Sequence, residues 1–238
     1  MSASIATICD PSTGDLTEAI RQAKICAEGG PGFDLDLSRF LQMQCFSNHV
    51  HLPAIFRGLE VLESITDESK LLTLLRPFLK SSDPQIASKC VLVLGRRCHN
   101  IGWMKNVMAE IDERIRANLV ESLWRRNEPE IELVMRSALK DPHHRVAANA
   151  VYGLYLLGSP LYAEGLDDLI ASENQSRRRS AIWVIRSIGT AEASARIKPL
   201  IRDPDPGVRR AAFDALVYLR EHGSRPAPQI ELALARPA

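Results

Sequence analysis

Asp203-Pro-Asp-Pro-Gly-Val-Arg-Arg-Ala-Ala-Phe-Asp-Ala-Leu216 reads as a turn, a cap and an amphipathic helix. Asp205 suits an N-cap, where a carboxylate accepts a bond from a free backbone N–H of the first turn. Pro206 suits the first helical position, where a missing N–H costs nothing. Val208, Ala212, Ala215, Leu216 and Leu219 follow at helical spacing and share one face, which is the face to bury.

The pattern recurs along the chain every 29 to 31 residues. Val208 maps back onto Arg177, Val146, Ile115 and Ile86, the first position of each second helix. The fifth position reads Cys90, Leu119, Ala150, Ala181, Ala212; the eighth reads Val93, Ser122, Gly153, Val184, Ala215; the ninth reads Leu94, Leu123, Leu154, Ile185, Leu216. A preceding helix carries Leu75, Met104, Met135, Leu166 and Ile197 in the same register, with Leu79, Met108, Leu139, Ile170 and Ile201 four residues on, and both sets are expected to be buried. The cap position reads Asp83, Asp112, His143, Asn174, Asp205. The third repeat departs there, with Asp141-Pro142 two residues early, and Arg177 places a charge where the other repeats bury an aliphatic. A fixed period on this scale specifies stacked supersecondary units, since no one unit can bury its apolar face alone.

The Asp-Pro, Val-Arg and Ala-Ala-x-x-Ala-Leu signature after a short apolar helix resembles the HEAT repeat, in the short form found in bilin lyase subunits and in many bacterial proteins. It covers about Leu71 to Arg220 in five repeats. The resemblance implies an all-α fold: a right-handed α-solenoid of stacked antiparallel helix pairs, about five to six repeats, with second helices lining a concave side. It also implies a role in holding other macromolecules.

The expected organisation is an N-terminal helical cap with a degenerate first repeat over 1–66, five repeats over 67–221 and a flexible tail over 222–238. Residues 1–14 show no helical stripe and read as loose. Leu16, Ile20, Ala23 and Ala27 give a helix that Glu28-Gly-Gly-Pro-Gly32 ends, and Asp36 or Ser38 caps the next. Ile55, Leu59, Leu62 and Ile65 continue the repeat pattern behind Pro53. The repeats then run about 67–98, 100–127, 129–157, 160–189 and 191–221.

Composition sets bounds on function. The formal charge is +1, so only local charge distribution can favour one partner class over another. The five cysteines are odd in number and scattered without a Cys-x-x-Cys, which fits a reduced, cytoplasmic compartment. The N-terminus lacks the basic and apolar regions of a secretory signal, and no window approaches a membrane span. No metal site or other cofactor is expected: His49, His51 and Cys45, the Cys98-His99 pair and His143-His144 have no matched second pair. HEAT-like deoxyhypusine hydroxylases carry repeated His-Glu dyads for iron, and this chain has no His-Glu. No nucleophile elbow, P-loop or dinucleotide fingerprint occurs, so no catalytic residue is assigned.

The remaining positions of the second helices face away from the core and supply the candidate site. They give Asn118, Trp124 and Arg125; then Asn149, Tyr152 and Tyr155; then Arg179, Trp183 and Arg186; then Arg210 and Tyr218. Aromatics are 5% of the chain, so their concentration on this ladder marks it as a partner-binding surface. Asn118 and Asn149 share a position in successive repeats, where their amides suit the N–H and C=O of an extended peptide. The bland alternative is that these Trp and Tyr rings pack against the neighbouring repeat. Arg116, Arg178 and Arg209 recur at the second position and are expected to pair with aspartates of the adjacent repeat.

Two readings follow. The first is a non-enzymatic scaffold that binds a protein partner on the concave face. The alternative is a nucleic-acid-binding protein resembling the alkylpurine DNA glycosylases built of HEAT-like repeats, with Trp183 on a base and Arg179, Arg186, Arg210, Lys89, Arg96 and Arg125 on phosphates. Asp167 and Asp168 are then the nearest carboxylates in sequence. A bilin lyase partner, resting on repeat likeness alone, ranks last.

Overall fold

In a computed structural model, residues 4–45, 50–97, 102–109, 112–124 and 126–222 are described. Among these residues there are helices and no strands. The chain divides into two compact units, Met1–Ser122 and Leu123–Ala238.

The N-terminal unit holds α1 (Ile5–Cys9), α2 (Leu16–Gly29), α3 (Phe33–Cys45), α4 (Leu52–Ile65), α5 (Glu68–Leu79), α6 (Pro84–Arg97), α7 (Gly102–Met108) and α8 (Glu113–Ser122). Second helices stack on one another, α4 on α6 and α6 on α8, while α3, α5 and α7 pair with α4, α6 and α8. Residues 4–15 are ordered rather than loose. Ser4 caps α1 by accepting from the Thr7 N–H, and Ile8 and Cys9 are fully buried. Arg57, buried on α4, fixes them further. Its Nε donates to the Ile8 carbonyl at 2.9 Å, Nη1 to that of Gly14 and Nη2 to that of Asp15 at 3.0 Å. An isolated arginine on an apolar stripe gave no hint that three carbonyls would satisfy it.

The C-terminal unit holds α9 (Pro129–Ala138), α10 (His144–Leu156), α11 (Leu161–Ala171), α12 (Gln175–Ile188), α13 (Ala191–Ala195) and α14 (Pro206–His222), with a 3-10 turn at Lys198–Arg202. Again the second helices α10, α12 and α14 stack in order, backed by α9, α11 and the turn before α14.

The repeat register is visible in burial. Cys90, Leu119, Ala150, Ala181 and Ala212 are all fully buried, as are Leu75, Met104, Met135, Leu166 and Ile197. The expectation for Leu79, Met108, Leu139, Ile170 and Ile201 is corrected. These are half-buried or exposed, and Phe78, Val107, Ala138, Leu169 and Leu200, one residue earlier, fill the core. Both spacings lie near one helical turn, but the later residue sits where each first helix ends and the chain leaves the interface. Burying such a side chain contributes about 1.5–3 kcal/mol, against about 1 kcal/mol for a cap, so the core positions dominate.

The turns obey a second rule. Two residues before four of the five cap positions, a short polar side chain accepts the cap residue's own N–H: Ser81 for Asp83, Asp141 for His143, Ser172 for Asn174 and Asp203 for Asp205. Asp141 is therefore not a displaced cap; it aligns with Asp203. The cap position then serves the helix in four repeats, through Asp83, Asp112, Asn174 and Asp205. His143 makes no such side-chain bond. Arg177 answers for the charge in its core position by donating to the Asp141 carbonyl of the preceding turn at 2.9 Å.

Candidate functional site

The outward positions of α10, α12 and α14 carry the site, and stacking of these three helices brings them side by side in the C-terminal unit. Helical spacing puts Arg179, Trp183 and Arg186 on one stripe of α12. All three are exposed, Trp183 by 40%. With His144 of α10, Ser180 of α12 and Asp214 of α14 they border an open pocket of about 530 Å³.

The aromatic ladder is continuous but unequal. Trp124 meets Tyr152 edge-on at 4.9 Å between ring centroids and stacks on Trp183 at 6.2 Å. Tyr152 also touches Trp183, at 5.7 Å, and Tyr155, at 6.3 Å. Trp124 donates its indole N–H to the Asn149 carbonyl at 2.9 Å, so its polar atom is satisfied inside the stack. Gly153 makes room for this: a Cβ there would lie 3.0 Å from Trp124 Cδ1 and 2.8 Å from Met135 Sδ. Tyr152 is buried and Tyr155 half-buried; burial pushes both phenols up. The inner rings thus pack between repeats, as the bland alternative has it, while Trp183, in contact with Trp124 and Tyr152, stays exposed. Tyr218 is likewise exposed, under the Arg186 guanidinium at 4.5 Å.

The two asparagines sit differently. Asn149 is buried in α10. Asn118 belongs to the N-terminal unit, where its Nδ2 donates to the Ser88 hydroxyl at 2.8 Å and stitches α8 to α6. Arg125 lies outside the described residues, as do His49, Cys98, His99 and the tail after His222. Of the other cations proposed for phosphates, Lys89 is ion-paired with Glu60. Arg210 lies 4.0 Å from Asp214, both of them exposed. Asp167 pairs with Arg196 at 3.0 Å, and the carboxylate that borders Trp183's pocket is Asp214 instead.

Sequence reasoning weighed His144 only as half of the His143-His144 pair and gave it no role. Its Nδ1 lies 2.8 Å from the Ser180 hydroxyl. Burial, and then the positive charges of His143, Arg177, Arg179 and Arg145, hold its imidazole below the usual histidine value.

Charge is sorted by layer. The second helices α10 and α12 contain Arg145, Arg177, Arg178, Arg179 and Arg186 and no Asp or Glu. The first helices α9 and α11 contain Glu130, Glu132, Glu164, Asp167 and Asp168 against one Arg136. On α12 the outward Arg179 and Arg186 therefore have no acidic residue on their own helix or on α10 beside them. Among the described residues no cluster of three His, Cys, Asp or Glu is arranged to hold a metal ion, and no helix is long and apolar enough to cross a membrane.

The HEAT-repeat family model matches residues 102–186 and 163–229, together more than half of the chain. No curated protein matches. Among solved structures, the chain is similar to the CpcE–CpcF complex of phycocyanin lyase from Nostoc sp. PCC7120, at 15% identity over 98% of this chain and 93% of that one, TM-score 0.44. It is similar to human deoxyhypusine hydroxylase in complex with glycerol, at 17% identity over 92% and 95%, TM-score 0.40. A designed armadillo repeat protein matches at 16% identity over 90% and 98%, TM-score 0.31. At this distance none of the three carries a functional argument.

Proposed function

Because the chain belongs to the HEAT-repeat family, we propose that it is a non-enzymatic interaction scaffold that holds a segment of a protein partner on the second-helix face of its C-terminal unit. The observation that carries this reading is the exposed Trp183 edge, standing over the Trp124–Tyr152–Tyr155 stack and opening on a pocket. An indole held rigidly from below loses little conformational entropy on binding, and that is what makes aromatic side chains effective anchors. Tyr218 and Arg210 extend the surface onto α14.

The test is site-specific photo-crosslinking in native lysate. A photoreactive phenylalanine analogue replaces Trp183 in one variant and Leu133 in another; Leu133 is an exposed residue of α9 in the opposite layer. Discrete protein adducts from position 183 and none from 133 support the reading. Equal adducts from both positions, or none from 183, sink it.

A further inference from the structure

The pocket beside α12 leaves its cations unanswered, and this bears on what the partner presents. Among the described residues neither Arg179 nor Arg186 has a carboxylate partner; Arg186 lies over the Tyr218 ring. The nearest acid, Asp214, is engaged with Arg210. The groups facing His144 from its own helix and from α12 are all positive: Arg145, Arg177 and Arg179. Ordinarily a surface interleaves charges of both signs. Here the acids of the unit's first four helices are confined to the other layer.

We propose that the occupant of this face is an acidic segment of a protein, with carboxylate side chains on Arg179 and Arg186 and an apolar side chain between them on the Trp183 edge. This rests on the scaffold reading and specifies its partner. The spacing is right for it. Seven residues of helix set the two arginines about 10 Å apart along the axis, and an extended peptide covers that span in about three residues. Guanidinium forks take carboxylates in a planar, bidentate fashion, and α10, α12 and α14 carry arginine and no lysine. The number of free cations favours a peptide over a nucleic acid: two arginines suit two carboxylates, whereas binding to a phosphate backbone rests on a longer run of basic contacts.

Fluorescence anisotropy of the full chain tests it with three labelled probes: a Glu-rich peptide of a dozen residues with one central Phe, the same peptide with Gln for Glu, and a thymidine oligonucleotide of matching length. The expected result is binding of the Glu peptide, with no binding of the Gln peptide. Affinity should fall about tenfold in Arg179→Gln and in Arg186→Gln, and binding should fade as salt rises through the range where the screening length nears 8 Å. Circular dichroism melts confirm that both variants fold. Tighter binding of the oligonucleotide, equal binding of both peptides, unchanged affinity in the variants, or no binding of the Glu peptide at millimolar concentration each overturns the proposal. Photo-crosslinks from position 183 that persist after such a failure leave the scaffold reading standing; their absence removes both.

Discussion

Arg177 and Arg178 are neighbours in sequence, and each is committed to a different turn. Arg177 reaches back to the Asp141 carbonyl, and Arg178 reaches forward to the Asp203 carboxylate, with Nε–Oδ2 at 2.6 Å and Nη2–Oδ1 at 2.8 Å. The Arg178 side chain is 12% exposed and that of Asp203 4%, so water screens the pair poorly. The Arg178 guanidinium holds the Asp203 carboxyl below its ordinary value, and Asp203 in turn raises Arg178. A carboxylate lowered on folding stabilises the native state above its unfolded pKa of about 3.9, and the contribution is lost as pH falls through the lower folded value. Arg178→Met should therefore cost about 2 kcal/mol near pH 7, as expected for a hydrogen bond to a charged group. Arg178 Nη1 also donates to the Ser172 and Glu173 carbonyls at 2.8 Å, so the difference from wild type should shrink below the carboxylate range without vanishing, read from urea midpoints at a series of pH values. A penalty unchanged by acid would assign the role of Arg178 to those carbonyls rather than to Asp203. Trp124→Phe makes a milder case: it removes the bond to the Asn149 carbonyl and should cost about 1 kcal/mol in the same assay.

Helices α6 and α8 approach each other at a residue that has no side chain. A Cβ on Gly95 would lie 1.7 Å from Ser122 Oγ and 2.4 Å from its Cβ. Ser122 stands at the eighth position of its repeat, and its hydroxyl is already bound to the Leu119 carbonyl at 2.6 Å. Alanine in a helix interior is ordinarily better than glycine by about 1 kcal/mol. Here the clash reverses the sign, and Gly95→Ala should lower stability by about 1–3 kcal/mol, the usual cost of overpacking. Adding Ser122→Gly to that variant should recover most of the loss; a thermal melt of the pair checks both. These elements were legible in sequence because each core position is stated five times, so a single departure such as Arg177 does not mask the period. The end of each first helix was not, because its two candidate core positions differ by one residue and only the exit of the chain chooses between them. The site was legible only in part. Trp183, Arg179 and Arg186 followed from the outward positions, but burial of Tyr152 and Asn149 depends on how closely adjacent repeats approach, which periodicity does not set. His144 entered through its approach to Ser180 of the next repeat, which no spacing within one repeat reveals.

Within each of the two units, helix pairs pack on their sequence neighbours, so stability should be local. Repeat arrays behave as sums of intrinsic and nearest-neighbour terms rather than as one cooperative core. The contacts inside each unit fit that picture: α10 meets α9, α11 and α12, and α4 meets α2, α3 and α6. Leu166 is fully buried on α11 in the centre of the C-terminal unit. Leu166→Ala removes about 2–5 kcal/mol of packing there. Native-state hydrogen exchange should then show amides of α10, α11 and α12 losing protection by most of that amount, with α14 losing less and α2 and α4 in the N-terminal unit keeping theirs. The layer that carries the acidic-segment site would loosen with its supporting helix, so the same variant should weaken any ligand of Trp183 without touching a residue that lines the pocket. Equal loss of protection in α2, α4 and α12 would mean that the two units unfold as one, and the nearest-neighbour description would fail for this chain.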